Sequence, residues 1–97
     1  MKIRITPRGL AEAKRRKTWW RKNRPSAPEL FEEELRAALA MLLTTPVTGT
    51  PYEADVGFPV RRVLLKKTAY HVYFGLNGDE LVLLSVWGAR RKRGPKL

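Results

Sequence analysis

The chain has no cysteine, so neither a disulfide framework nor thiolate chemistry is available to it. It has a single histidine, His71, and that scarcity excludes the usual cysteine–histidine zinc sites. Acid is in short supply: nine Asp and Glu stand against twenty Lys and Arg. Long apolar runs are missing as well. The opening MKIRITPRGL lacks the apolar centre of a signal peptide, and no later stretch approaches the roughly 20 residues of a membrane-spanning helix. These absences predict a cytoplasmic protein that works without a metal, a cofactor or a membrane.

What remains is ordinary in core-forming content and extreme in charge. At 97 residues and 43% hydrophobic, the chain has material for one domain with a modest core. The net charge is +11, and it is unevenly placed. Residues 1–25 carry a large basic excess, residues 26–60 are acidic, and residues 61–97 are basic again. Such an excess attracts a polyanionic partner, either nucleic acid or an acidic protein, through its summed field and counterion release.

The first strand is predicted in KIRIT, with Ile3 and Ile5 inward. Thr6 and Pro7 read as the cap and first residue of a helix running to about Lys22, with Leu10, Ala13 and Trp20 on its inner face. A second helix, with Ser26 to Glu29 as a capping box, runs to about Leu43. Its apolar residues recur from Leu30 to Leu42 at three-to-four spacing. The prolines and glycines of TTPVTGTPYEADVGFP exclude regular structure over most of that stretch. Strands follow from Val60, with Asn77-Gly78-Asp79 as a hairpin turn. The predicted fold is α+β, ordered β-α-α-β-β-β, with a helical hairpin on one face of a small antiparallel sheet.

On the middle strand of the final three, Tyr70, Val72 and Phe74 point one way and His71 and Tyr73 the other. Arg61 or Arg62 shares a face with one of these sets. The chain leaving the last strand carries Arg90, Arg91, Lys92 and Arg93, and Lys66 and Lys67 stand at a turn. Basic side chains, aromatics and a titratable imidazole on an open sheet face suit RNA, through phosphate contacts and base stacking. Trp19, beside the buried Trp20, is a candidate exposed anchor for a partner.

Several local patterns resemble the RelE/ParE superfamily, the small basic toxins of type II toxin–antitoxin (plasmid stabilisation) modules. They are Pro46 and Gly49 in TPVTGTPY, the run Arg62-Val-Leu-Leu, the run Thr68-Ala-Tyr70-His-Val-Tyr-Phe, and the terminal VLLSVWGAR. The resemblance covers nearly the whole chain and implies growth arrest when a cognate antitoxin with an acidic, flexible C-terminal segment is lost. It also implies one of two targets. ParE-like members block DNA gyrase and are not enzymes; RelE-like members are metal-independent endoribonucleases that cut mRNA in the ribosome. Carried over onto this chain, the nuclease site would use Arg62, His71 and Arg90. Target binding would fall to Arg61, Lys66, Lys67, Tyr73, Arg91, Lys92 and Arg93. The family's strand lysine is Leu64 here, and its C-terminal tyrosine has no counterpart in GPKL. These departures favour the gyrase-directed reading. A basic RNA-binding module without toxicity is the alternative from another class.

Overall fold

A computed structural model describes residues 1–97. The elements in chain order are β1 (Lys2–Ile5), α1 (Pro7–Asn23), α2 (Leu30–Thr44), β2 (Thr50–Tyr52), β3 (Val60–Leu65), β4 (Tyr70–Asn77) and β5 (Glu80–Gly88). The strands form one sheet in the order β1-β5-β4-β3-β2. β2 to β5 pair antiparallel, whereas β1 runs parallel to β5, with Ile3 opposite Leu81. The sheet is therefore mixed and five-stranded rather than purely antiparallel.

The parallel pairing follows from where α1 has to go. β1 covers the open edge of β5 only as far as Leu83. Beyond it, Thr6 donates its N–H to the Leu83 carbonyl while its hydroxyl accepts from Gly9 N at 3.0 Å, capping α1. α1 then takes over the edge. The buried Glu12 carboxylate accepts from Val86 N at 3.0 Å and from Ser85 Oγ at 2.6 Å, and Arg16 Nη2 donates to the Val86 carbonyl. Side chains of a helix thus satisfy backbone groups that a neighbouring strand would otherwise pair. An antiparallel β1 would deliver α1 to the wrong end of β5.

The helical face holds the main core: Trp20 and Phe31 pack on Leu65, Val72, Leu83 and Val86, and Leu42 packs on Phe74 and Leu81. Four expectations need correction here. Leu10, in the first turns of α1, is exposed; Ile3 and Ile5 are each 40% exposed, because a four-residue edge strand has no layer over it. Ser26 caps nothing; Glu29 occupies the cap position without a side-chain hydrogen bond. The far sheet face is not open either. Val60, Tyr73, Val82 and Leu84 are covered by Tyr52, Val56, Phe58 and the C-terminal Leu97. Gly75 makes room for this cover, since a Cβ there would lie 2.5 Å from the Phe58 ring.

Candidate functional site

The strand register assembles the site. Arg62 stands opposite Tyr73, and His71 lies between Leu64 on β3 and Trp87 on β5. Alternation along the strands puts Arg62, His71 and Tyr73 on the face away from the helices. Arg62 Nη1 donates to the Tyr73 hydroxyl at 3.3 Å, and the His71 and Tyr73 rings meet edge-to-face at 6.1 Å. Burial lowers the pKa of His71, and the Arg62 charge lowers it further. The imidazole is accordingly neutral at physiological pH.

The C-terminal segment closes this corner. Trp87 Nε1 donates to the Arg93 carbonyl at 2.8 Å, and the Arg91 guanidinium sits 3.8 Å from the Trp87 ring centroid. Further on, the Tyr52 hydroxyl donates to the Pro95 carbonyl at 2.7 Å, and Arg8 Nη1 donates to the Lys96 carbonyl. Tyr52 also packs edge-to-face on Tyr73 at 4.6 Å. Its phenol pKa is raised, by burial first and by Tyr73 second, in keeping with a proton held for Pro95. The result is a cavity of about 180 Å³ between Arg62 and His71 on one side and Arg91, Lys92 and Arg93 on the other. The basic terminus is tied to the fold rather than loose.

Other site residues expected from the sequence lie elsewhere. Arg90 lies outside the cavity of Arg62 and His71. It lines a hollow near the end of α1, together with Lys67, Trp19 and Arg24. Arg61 faces the helical side, where its guanidinium donates to the carbonyls of Thr48 (3.0 Å) and Gly49 (2.9 Å), a use that ties down the loop after α2. Lys66 is exposed at the β3–β4 turn. Tyr73, by contrast, borders the Arg62–His71 cavity, but its side chain is buried and its hydroxyl is engaged by Arg62, so it supports Arg62 from beneath. Sequence reasoning missed Tyr52 and Arg8, which pin the terminus. Tyr52 sits among prolines and glycines that masked strand β2, and Arg8 has no local signal that separates it from the other cations of α1.

Chemically, the cavity presents guanidinium and ammonium groups suited to a phosphate or carboxylate. Its single imidazole, neutral at physiological pH, can hydrogen-bond or accept a proton. With Arg90 elsewhere and Leu64 at the neighbouring strand position, no second group with a proton affinity near neutrality stands beside His71.

The architecture defined by these elements, two helices on one face of a five-stranded mixed sheet, is ParE-like. A solved chain described as belonging to the chromosomal ParDE TA system from P. aeruginosa has the same fold. It has a TM-score of 0.66 and 17% sequence identity, covering 93% of this chain and 97% of that one. No family model and no curated protein sequence matches the chain.

Proposed function

We propose that this protein is the toxin of a toxin–antitoxin module. On this reading it arrests growth by binding DNA gyrase, and a cognate antitoxin with an acidic, flexible C-terminal segment neutralises it. The fold shared with a ParDE chain supports the toxin part. The target rests on one observation. The Arg62–His71 cavity gathers anion-binding groups around a single near-neutral titratable side chain, without the paired acid and base that phosphodiester cleavage uses. A binding site fits that inventory better than a nuclease site does. The second reading, ribosome-dependent mRNA cleavage, draws on the neutral imidazole beside Arg62, which is the protonation state a general base needs.

The test uses purified protein in two assays. Inhibition of gyrase supercoiling, with intact 5′ ends on ribosome-bound mRNA, is the expected result, and Arg62→Ala is expected to weaken inhibition at least tenfold. Cleavage in the A-site codon, lost in His71→Ala, would establish the second reading instead. Induced expression without growth arrest would remove both.

A further inference from the structure

The Arg62–His71 cavity is not the most basic concavity of the molecule. A larger hollow of about 780 Å³ lies on the other side of Gly88, between the C-terminal half of α1 and the ends of β4 and β5. Lys14, Arg15, Arg16, Lys22 and Arg91 surround Trp19 and Tyr70 there. It adjoins the 490 Å³ hollow that adds Arg24, Lys67 and Arg90, and the two share Trp19, Tyr70, Gly88 and Arg91. No acidic residue lines either one.

The charges of α1 are sorted with respect to this groove. Arg8, Lys17 and Arg21 each pair with a carboxylate, Arg8 with Glu12 and the other two with Glu32. Lys14, Arg15, Arg16 and Lys22 make no ion pair, and all four line the groove. Arg16 Nε is buried there with no hydrogen-bond partner, an unusual cost for a guanidinium. Unpaired cations of one sign around a concave wall match a ligand carrying several regularly spaced negative charges.

The aromatic content narrows the class. Trp19 is 43% exposed, and the Arg24 guanidinium lies 4.9 Å from its ring centroid. Tyr70 has Arg16 at 5.6 Å. An amphipathic acidic helix would need aliphatic pockets for its apolar anchors, but the only apolar residues on these walls are Trp19, Trp20, Tyr70 and Ala69. A flat exposed indole among cations accepts a nucleobase, whose phosphates then fall on the flanking Lys and Arg.

We propose that this groove binds single-stranded nucleic acid, with a base stacked on Trp19 and the backbone held by Lys14, Arg15 and Lys22. The groove meets the Arg62–His71 cavity at Gly88 and Arg91, but Trp19, Lys14, Arg15 and Lys22 belong to the groove alone, and the proposal does not depend on the gyrase reading. Fluorescence anisotropy with labelled oligothymidylate and oligouridylate of about twelve nucleotides, within the span of known single-strand sites, tests it. Unlabelled duplex and polyglutamate of equal charge serve as competitors. Trp19→Ala is expected to weaken binding roughly 5- to 150-fold, the range for one lost base stack, and Trp19→Phe to keep most of it. Lys22→Ala should lower the slope of log K against log salt by about 0.7, as for one phosphate contact. Arg36→Ala removes an equal charge from the far helix and should change affinity less than about twofold, the small effect of one screened distant charge. Polyglutamate competing as well as the oligonucleotide, or equal losses in Trp19→Ala and Arg36→Ala, would overturn the proposal. Circular dichroism of each variant establishes folding, which the exposure of Trp19 protects.

Discussion

Two single residues carry consequences out of proportion to their visibility in the sequence. Glu12 looks like a stray acid on a basic helix, yet it is buried and accepts from Ser85 Oγ and Val86 N. Removing it orphans a strand N–H and a hydroxyl together. Glu12→Ala is expected to cost about 2–4 kcal/mol in urea unfolding, from two charge-assisted hydrogen bonds and the donors left unsatisfied, and Glu12→Gln less. A loss below about 0.5 kcal/mol, typical of a surface substitution, would mean that water replaces the carboxylate. His71 offers a cleaner observable because it is the only histidine. Its folded pKa lies below the ordinary value of 6.5, by burial first and Arg62 second. The unfolded chain therefore binds the proton more readily, and this group's contribution to stability falls as pH drops through the range below 6.5. In an NMR titration of the imidazole Hε1, the wild-type midpoint should lie below 6.5, and Arg62→Gln should move it upward. An unmoved midpoint would show that Arg62 does not face the ring.

At the scale of elements, the strongly periodic segments were legible. Both helices, the three long strands and the Asn77–Asp79 hairpin stand where apolar spacing and turn chemistry put them. The facing of Tyr70, Val72 and Phe74 against His71 and Tyr73 was legible for the same reason. Features that depend on distant chain were not. Nothing local in KIRI encodes a parallel partner 78 positions away, as Lys2 to Glu80 is. Thr50-Pro-Tyr reads as loop because proline hides a short edge strand. Half of the candidate site was legible, since Arg62 and His71 share a strand face. Arg90 was misplaced because direction after the last strand is set by the Gly88–Arg91 turn and not by periodicity. Loop chemistry gives a paired expectation of opposite sign. Ala69 holds φ +62° in the β3–β4 turn, so Ala69→Gly should stabilise by about 0.5–1 kcal/mol. Gly49 holds φ +85° with a would-be Cβ 2.1 Å from the Arg62 carbonyl, so Gly49→Ala should cost more than about 2 kcal/mol. Thermal melts of the two variants check the sign of each.

For the whole molecule, the central question is how a small, strongly charged chain keeps its basic residues ordered. The +11 charge works against compaction, yet the basic terminus is packed against the sheet. Pro95 is buried, Leu97 joins the far-face cluster, and Tyr52, Trp87 and Arg8 each donate to a backbone carbonyl of this segment. Order and charge can be separated by experiment. Deleting residues 94–97 leaves Arg90, Arg91, Lys92 and Arg93 in place but removes the hydrogen bonds from Tyr52 and Arg8 and the cover of Leu97. Stability should fall by about 2–3 kcal/mol, from one partly buried aliphatic side chain and two net hydrogen bonds. If the cavity acts through positioned cations, gyrase inhibition should fall at least tenfold at a temperature where the shortened chain is still folded, while binding of single-stranded oligonucleotide by the α1 groove changes little. Should inhibition persist undiminished, the terminus would be a diffuse field rather than part of a built site. Lys92→Ala and Arg93→Ala would then have no larger effect than Arg36→Ala.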